Sequence, residues 1–168
     1  MKKTLLILLL LSSLSFGRLH AQSFDGPGDE KLMLSVSLHR GNRFGAEYTR
    51  LSGISNVFSY GYTLGYHFYK SDRYGFLQDV NNMTASMLVR FNTTNLLNIS
   101  EKFNYHITLG IGLLRLTAHT GFTYMFTERI GLDADFAYPL THYFFKDMIE
   151  PYGHSVPYGN LSLVINLQ

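Results

Sequence analysis

The sequence predicts an all-β fold: an eight-stranded antiparallel up-and-down transmembrane β-barrel with a filled polar lumen. Three observations lead there. Apolar residues recur with a period of two along most of the chain, the spacing of strands with one apolar face. No helical repeat appears. Charged residues make up only 15% of the chain and aromatic residues another 15%, a low charge for a water-facing surface.

The chain begins with a segment that reads as an export signal. Lys2 and Lys3 make a basic start, Leu5 to Leu14 an almost unbroken apolar stretch, and Leu19-His20-Ala21 a cleavage site before Gln22. The apolar stretch is shorter than the roughly 20 residues of a spanning helix. Residues 1–21 are therefore assigned to the signal peptide and residues 22–168 to the barrel. Removing the signal takes Lys2, Lys3 and Arg18 and no acid. The 14 basic and 12 acidic residues become 11 and 12, and the net charge moves from +2 to −1. A nucleic-acid partner loses its electrostatic support. Without cysteine, the chain has neither a thiol lipid anchor nor disulfides.

The strands follow in order. The first is read over Leu34–Leu38 and the second over Phe44–Tyr48. After the turn Ser52-Gly53-Ile54-Ser55 comes the clearest alternation: Phe58, Tyr60, Tyr62, Leu64, Tyr66 and Phe68, with small or polar residues between. The fourth strand alternates from Met83 to Phe91 and the fifth from Phe103 to Leu113. The sixth is read over Phe122–Phe126, the seventh in "RIGLDADFAY" from Arg129 to Tyr138, and the eighth from Leu161 to Leu167. If the first strand climbs from the periplasm, the two longest connections, 70–81 and 139–157, both face outward, as in outer-membrane barrels. The stretch 93–101 is longer than an inward turn should be, which counts against the scheme.

Size decides which face is outside. An eight-stranded interior is only just wide enough for its side chains, and it could not hold the rows Phe58–Phe68 and Phe103–Leu113 together. The opposite face carries Gly45, Gly61, Gly65, Gly110 and Gly112, which suits a crowded lumen. The large residues therefore face lipid, with tyrosines such as Tyr48, Tyr60, Tyr105, Tyr124 and Tyr138 standing in for Trp at the interfaces. A soluble, lipid-binding periplasmic barrel is the alternative.

The opening "AQSFDGPGDEKLMLSVSL", the segment "FTERIGLDADFAYPL" and the closing "YGNLSLVINLQ" resemble small outer-membrane β-barrels of Bacteroidota. The resemblance implies an eight-stranded fold in the outer membrane of a Gram-negative bacterium and no agreed activity. One departure is the end Leu167-Gln168, where many outer-membrane barrels of other bacteria finish on an aromatic residue.

Several residues could carry chemistry. Asp133 and Asp135 share the lumen face with Glu47, Arg90, Lys102 and His106. Burying lone charges is costly, so the expectation is a charge-paired network that fills the barrel, with the two aspartates balancing Arg90 and Lys102. Two carboxylates supply too few ligands for a metal, and no cofactor is expected. Glu150, His154 and Ser155 could mimic a hydrolase trio, which makes a lipid A-modifying enzyme the other alternative. His119 and His142 read as solvated loop residues. The loop stretch His142, Tyr143, Phe144 and Phe145 could bind a partner or pack on the barrel rim. The sequons at Asn82 and Asn160 fall in or beside strands and are read as chance. The functional expectation is a non-enzymatic barrel, structural or surface-binding, or an accessory subunit of a larger envelope complex. Its partners would be outer-membrane lipid and other outer-membrane proteins.

Overall fold

The computed structural model describes residues 23–39, 43–68, 83–97, 100–112, 116–140 and 157–167. Eight strands lie within them: β1 (Glu30–His39), β2 (Arg43–Gly53), β3 (Phe58–Phe68), β4 (Met83–Asn92), β5 (Phe103–Gly112), β6 (Leu116–Met125), β7 (Ile130–Pro139) and β8 (Tyr158–Asn166). Each pairs antiparallel with its sequence neighbour, and β1 pairs with β8, for example Ser35 opposite Ser162. The sheet is thus a closed up-and-down barrel. Closure satisfies every strand edge, which is what a hydrocarbon surrounding demands of backbone N–H and C=O groups.

Strands of 9 to 11 residues match the length needed to cross a bilayer with tilt. β1, β2 and β6 are longer than their apolar alternation. The backbone ladder continues through Glu30 and Lys31, Arg50 to Gly53, and Leu116 to Gly121, because pairing needs only main-chain groups. Side chains alternate as the period of two requires: in β3, Tyr60, Leu64 and Phe68 are exposed while Ser59, Thr63 and His67 are buried. The outward face is the apolar one, and in β5 it carries Ile107, Leu109 and Ile111.

The end at which β1 starts, here the proximal end, carries the turn 54–57, the connection 93–102 and the turn 126–129. The long connection 93–102 holds a single helical turn, α1 (Thr94–Leu97). The Asn104 side-chain oxygen accepts from the backbone N–H of Thr93 and Thr94 at 3.0 and 3.3 Å, so a β5 side chain caps the turn that precedes the strand. That is why the connection is longer than a hairpin turn. The segments 69–82 and 141–156 lie outside the described residues.

Before β1, residues Ser23–Asp29 form a strap across the proximal mouth. Gly28 donates to the Gly53 carbonyl at 3.0 Å and Gly53 donates back to Asp29 at 2.7 Å. Ser23 then reaches the Glu101 carbonyl at 2.6 Å and the Thr94 hydroxyl at 3.2 Å. β1 and the β4–β5 connection stand on opposite sides of an eight-stranded ring, so the strap spans the opening. Gly26 and Gly28 adopt positive φ of 95° and 86°, a conformation glycine takes without a Cβ clash. A Cβ on Gly53 would strike the Gly26 carbonyl, so β2 needs glycine where the strap crosses it. Phe24, only 3% exposed, points from the strap into the barrel.

Candidate functional site

The interior holds Glu47, Arg90, His106, Asp133 and Asp135, arranged in layers. Near the proximal end Met33, Leu51, Leu88, Met125 and Val164 form a small apolar layer. Beside it the buried Lys31 ammonium meets Asp29 at 2.7 Å. Asn104 donates to Asn92 at 2.8 Å and Asn92 to the Ser59 hydroxyl at 3.1 Å. A cavity of about 10 Å³ lies between the strap and these groups, lined among others by Phe24, Ser59, Arg90 and Asn92. It has room for about one water molecule.

The middle layer centres on Asp133, which is fully buried. One carboxylate oxygen sits 2.8 Å from His106 Nε2 and 3.6 Å from an Arg90 guanidinium nitrogen, and accepts the Thr123 hydroxyl. Arg90 also donates to Thr108 at 3.0 Å. Three strands thus contribute to one ionic group: β4 through Arg90, β5 through His106 and β7 through Asp133. The arrangement has the Asp–His contact of a catalytic dyad, but among the described residues no hydroxyl is hydrogen-bonded to the imidazole. Its members are 0 to 6% exposed, which shields them from solvent.

Asp135 lies two residues further along β7 and belongs to a different group. It is 3.2 Å from His119 Nδ1 and accepts from Asn160 at 3.2 Å. The backbone partner of Asp135 on β6 is Gly121, whose missing side chain leaves room for the base of the Asp135 side chain, since a Cβ there would collide with Asp135 Cβ and the Ala134 carbonyl. Glu47 lies in the distal layer, 3.0 Å from His67. His67 in turn hydrogen-bonds His39 at 2.8 Å, and Tyr158 stacks on His39 with ring centroids 4.4 Å apart. His119 also faces the Tyr158 ring, at 6.3 Å.

Arg90, His106 and Asp133 therefore meet through short contacts, while Asp135 reaches the group only electrostatically, through His106, and Glu47 pairs with His67. Lys102 precedes β5 in the proximal connection, and among the described residues no ion pair joins it to either aspartate. Its backbone carbonyl accepts from Met125 instead. The partner of Asp135 is His119, which stands on β6 facing the lumen. That differs from the solvated loop expected of it: its neighbours Thr117, Thr120 and Thr123 blur the alternation and hide the strand. His67 falls by parity on the small, inward face of β3, and His39 shares the inward parity of the small residues around it in β1. The strap was also missed as a structural element, although Gly-Pro-Gly at 26–28 marks a turn. The loop residues His142, Tyr143, Phe144 and Phe145, and the trio Glu150, His154 and Ser155, lie outside the described residues. Among the described residues no cluster of three or more His, Asp or Glu is placed to hold a metal ion.

A closed barrel with this interior can be set beside known proteins. A family model described as a family of unknown function, DUF6646, matches residues 14–154. The chain belongs to DUF6646. No curated protein matches the DUF6646 chain. Two solved structures share its fold. One, from work on the de novo design of transmembrane β-barrels, has a TM-score of 0.61 at 9% identity and covers 85% of this chain and 98% of its own. The other is the N-terminal β-barrel domain of Pseudomonas aeruginosa OprF. It has a TM-score of 0.53 at 10% identity and covers 85% of this chain and 100% of its own. At such identities the likeness concerns the fold, a transmembrane eight-stranded β-barrel.

Proposed function

We propose that this DUF6646 barrel is a non-enzymatic structural component of the outer membrane of a Gram-negative bacterium, of the Bacteroidota type that its terminal segments resemble. In this reading it spans the membrane, excludes solutes, and presents its distal loops to surface partners or to other proteins of the envelope. The observation that carries the proposal is the pairing of an apolar outer wall with an occupied lumen. Leu64, Met87, Ile107 and Phe136 are 45 to 62% exposed on the outside, an arrangement that water disfavours and lipid accepts. Inside, the strap, the apolar layer and the Arg90–His106–Asp133 group block passage, which argues against a pore.

Membrane fractionation combined with a pull-down tests this reading. The protein should stay in the outer-membrane fraction through a salt wash and bring envelope proteins with it. Release by the wash would favour the soluble lipid-binding barrel instead. Lipid A profiles with and without the protein should be identical by mass spectrometry, and a changed profile would refute the non-enzymatic role. Shortening both long connections should abolish partner recovery if the loops carry the contact.

A further inference from the structure

The apolar outer wall is interrupted at one place. Among the described strand residues, outward-facing positions carry charge only at Arg50 on β2 and Glu30 on β1. The two are paired, with an Arg50 guanidinium nitrogen 2.8 Å from a Glu30 carboxylate oxygen, and both remain open, with side chains 44% and 40% exposed. They stand near the proximal end, where Arg50 lies opposite Leu32 on β1 and Tyr62 on β3. Tyr62 leans toward Tyr48, with ring centroids 6.1 Å apart, and Tyr60 is exposed one step nearer the end. Tyrosines beside a cation mark the headgroup level of a bilayer.

Immediately above this level the wall is hollow. Leu34, Tyr48 and Leu64 sit in one cross-strand row, and the row above places Ala46 beside Val36. Ala46 is too small to fill the space between its bulky neighbours, and an open groove of about 370 Å³ results. It begins one two-residue step, about 7 Å, from Arg50.

We infer that the outer wall of β1–β3 is a binding site for one zwitterionic phospholipid, whose phosphate lies on Arg50, whose ammonium lies on Glu30, and whose acyl chain fills the groove at Ala46. The inference rests on the membrane reading above. Charge complementarity selects the occupant. Arg50 and Glu30 present a cation and an anion side by side, the mirror of an ethanolamine phosphate headgroup. The guanidinium gives only part of its five-donor fork to Glu30 and keeps the rest for a phosphate oxygen. An anionic headgroup without an amine would meet Glu30 as a like charge. The lipid enters with its headgroup at the proximal end and its chains toward the distal end, so it belongs to the leaflet in which β1 begins.

The test inserts the full barrel into vesicles holding equal phosphatidylethanolamine and phosphatidylglycerol, then counts retained lipids by native mass spectrometry. The wild type should keep one phosphatidylethanolamine with a preference of about tenfold, the scale set by one charge-assisted hydrogen bond. Arg50→Gln should lose the retained lipid. Glu30→Gln should keep a lipid but lose the preference, and Ala46→Leu should reduce retention of both lipids with the charges intact. All three changes are on the outer wall, and protease resistance in the vesicles reports insertion separately. Failure to insert would refute the membrane reading itself. Insertion with no retained lipid, or with equal retention in wild type and all three variants, would overturn the lipid site alone.

Discussion

Replacing Asp133 by alanine tests the central charge group most directly. The substitution removes an acceptor for His106 and Thr123 and strips the countercharge from Arg90, which is only 6% exposed. Removing one partner of a buried pair leaves the other charge uncompensated and costs about 3–5 kcal/mol. Against a typical domain stability of roughly 5–15 kcal/mol, that is a large fraction. The chain has no Trp, so unfolding in urea is followed by circular dichroism in micelles or vesicles. Asp133→Ala should shift the midpoint sharply to lower urea with an unchanged slope. Adding Arg90→Met removes the stranded cation, so the double variant should lose less than the two single losses combined, by about 0.5–3 kcal/mol. An unchanged midpoint for Asp133→Ala, or strict additivity with Arg90→Met, would refute the reasoning.

Three further outcomes follow from other parts of the barrel. Ile107→Arg places a cation in the middle of the outer wall and should cost about 2–4 kcal/mol in a bilayer; no loss of stability in vesicles would argue for a water-facing wall. Phe24→Ala empties a buried aromatic site in the strap, with an expected loss of about 3–5 kcal/mol and faster cleavage of residues 23–29 by added protease. Equal cleavage rates would mean that Phe24 does not hold the strap. At the same mouth, burial and the neighbouring Asp29, with a smaller push from Glu101, raise the Asp25 carboxyl above its ordinary value of 3.8 while Lys31 opposes them. A raised folded pKa contributes stability that is fully present below the ordinary value and is lost as pH rises through the folded one. Asp25→Asn should therefore be more stable than wild type at neutral pH, with the difference shrinking on acidification. A difference that grows toward acid would contradict this.

How much was legible differs from element to element. β3, β4 and β5 could be read almost to the residue, because large apolar residues alternate there with small or polar ones, broken only by Ala85 and Leu88 in β4, and parity settles orientation. β6 was shortened because Thr117, His119 and Thr120 give no contrast between faces. Asp133 and Asp135 could be assigned to the lumen by parity. Their separation into two groups could not, since it depends on which strands the barrel brings opposite each residue.

The sequence by itself determined the fold class, the number of strands, and which face turns its large apolar residues outward, because each follows from a period of two and from the volume an eight-stranded interior can hold. Tertiary structure alone decided that Arg90 and His106 converge on Asp133, that His119 answers Asp135, and that Arg50 and Glu30 meet on the outer wall. These contacts join residues far apart in the chain, and strand stagger and rotamer place them, neither of which leaves a local trace in the sequence. The strap belongs with them: its glycines announce a turn, but only the closed ring gives that turn a mouth to cross.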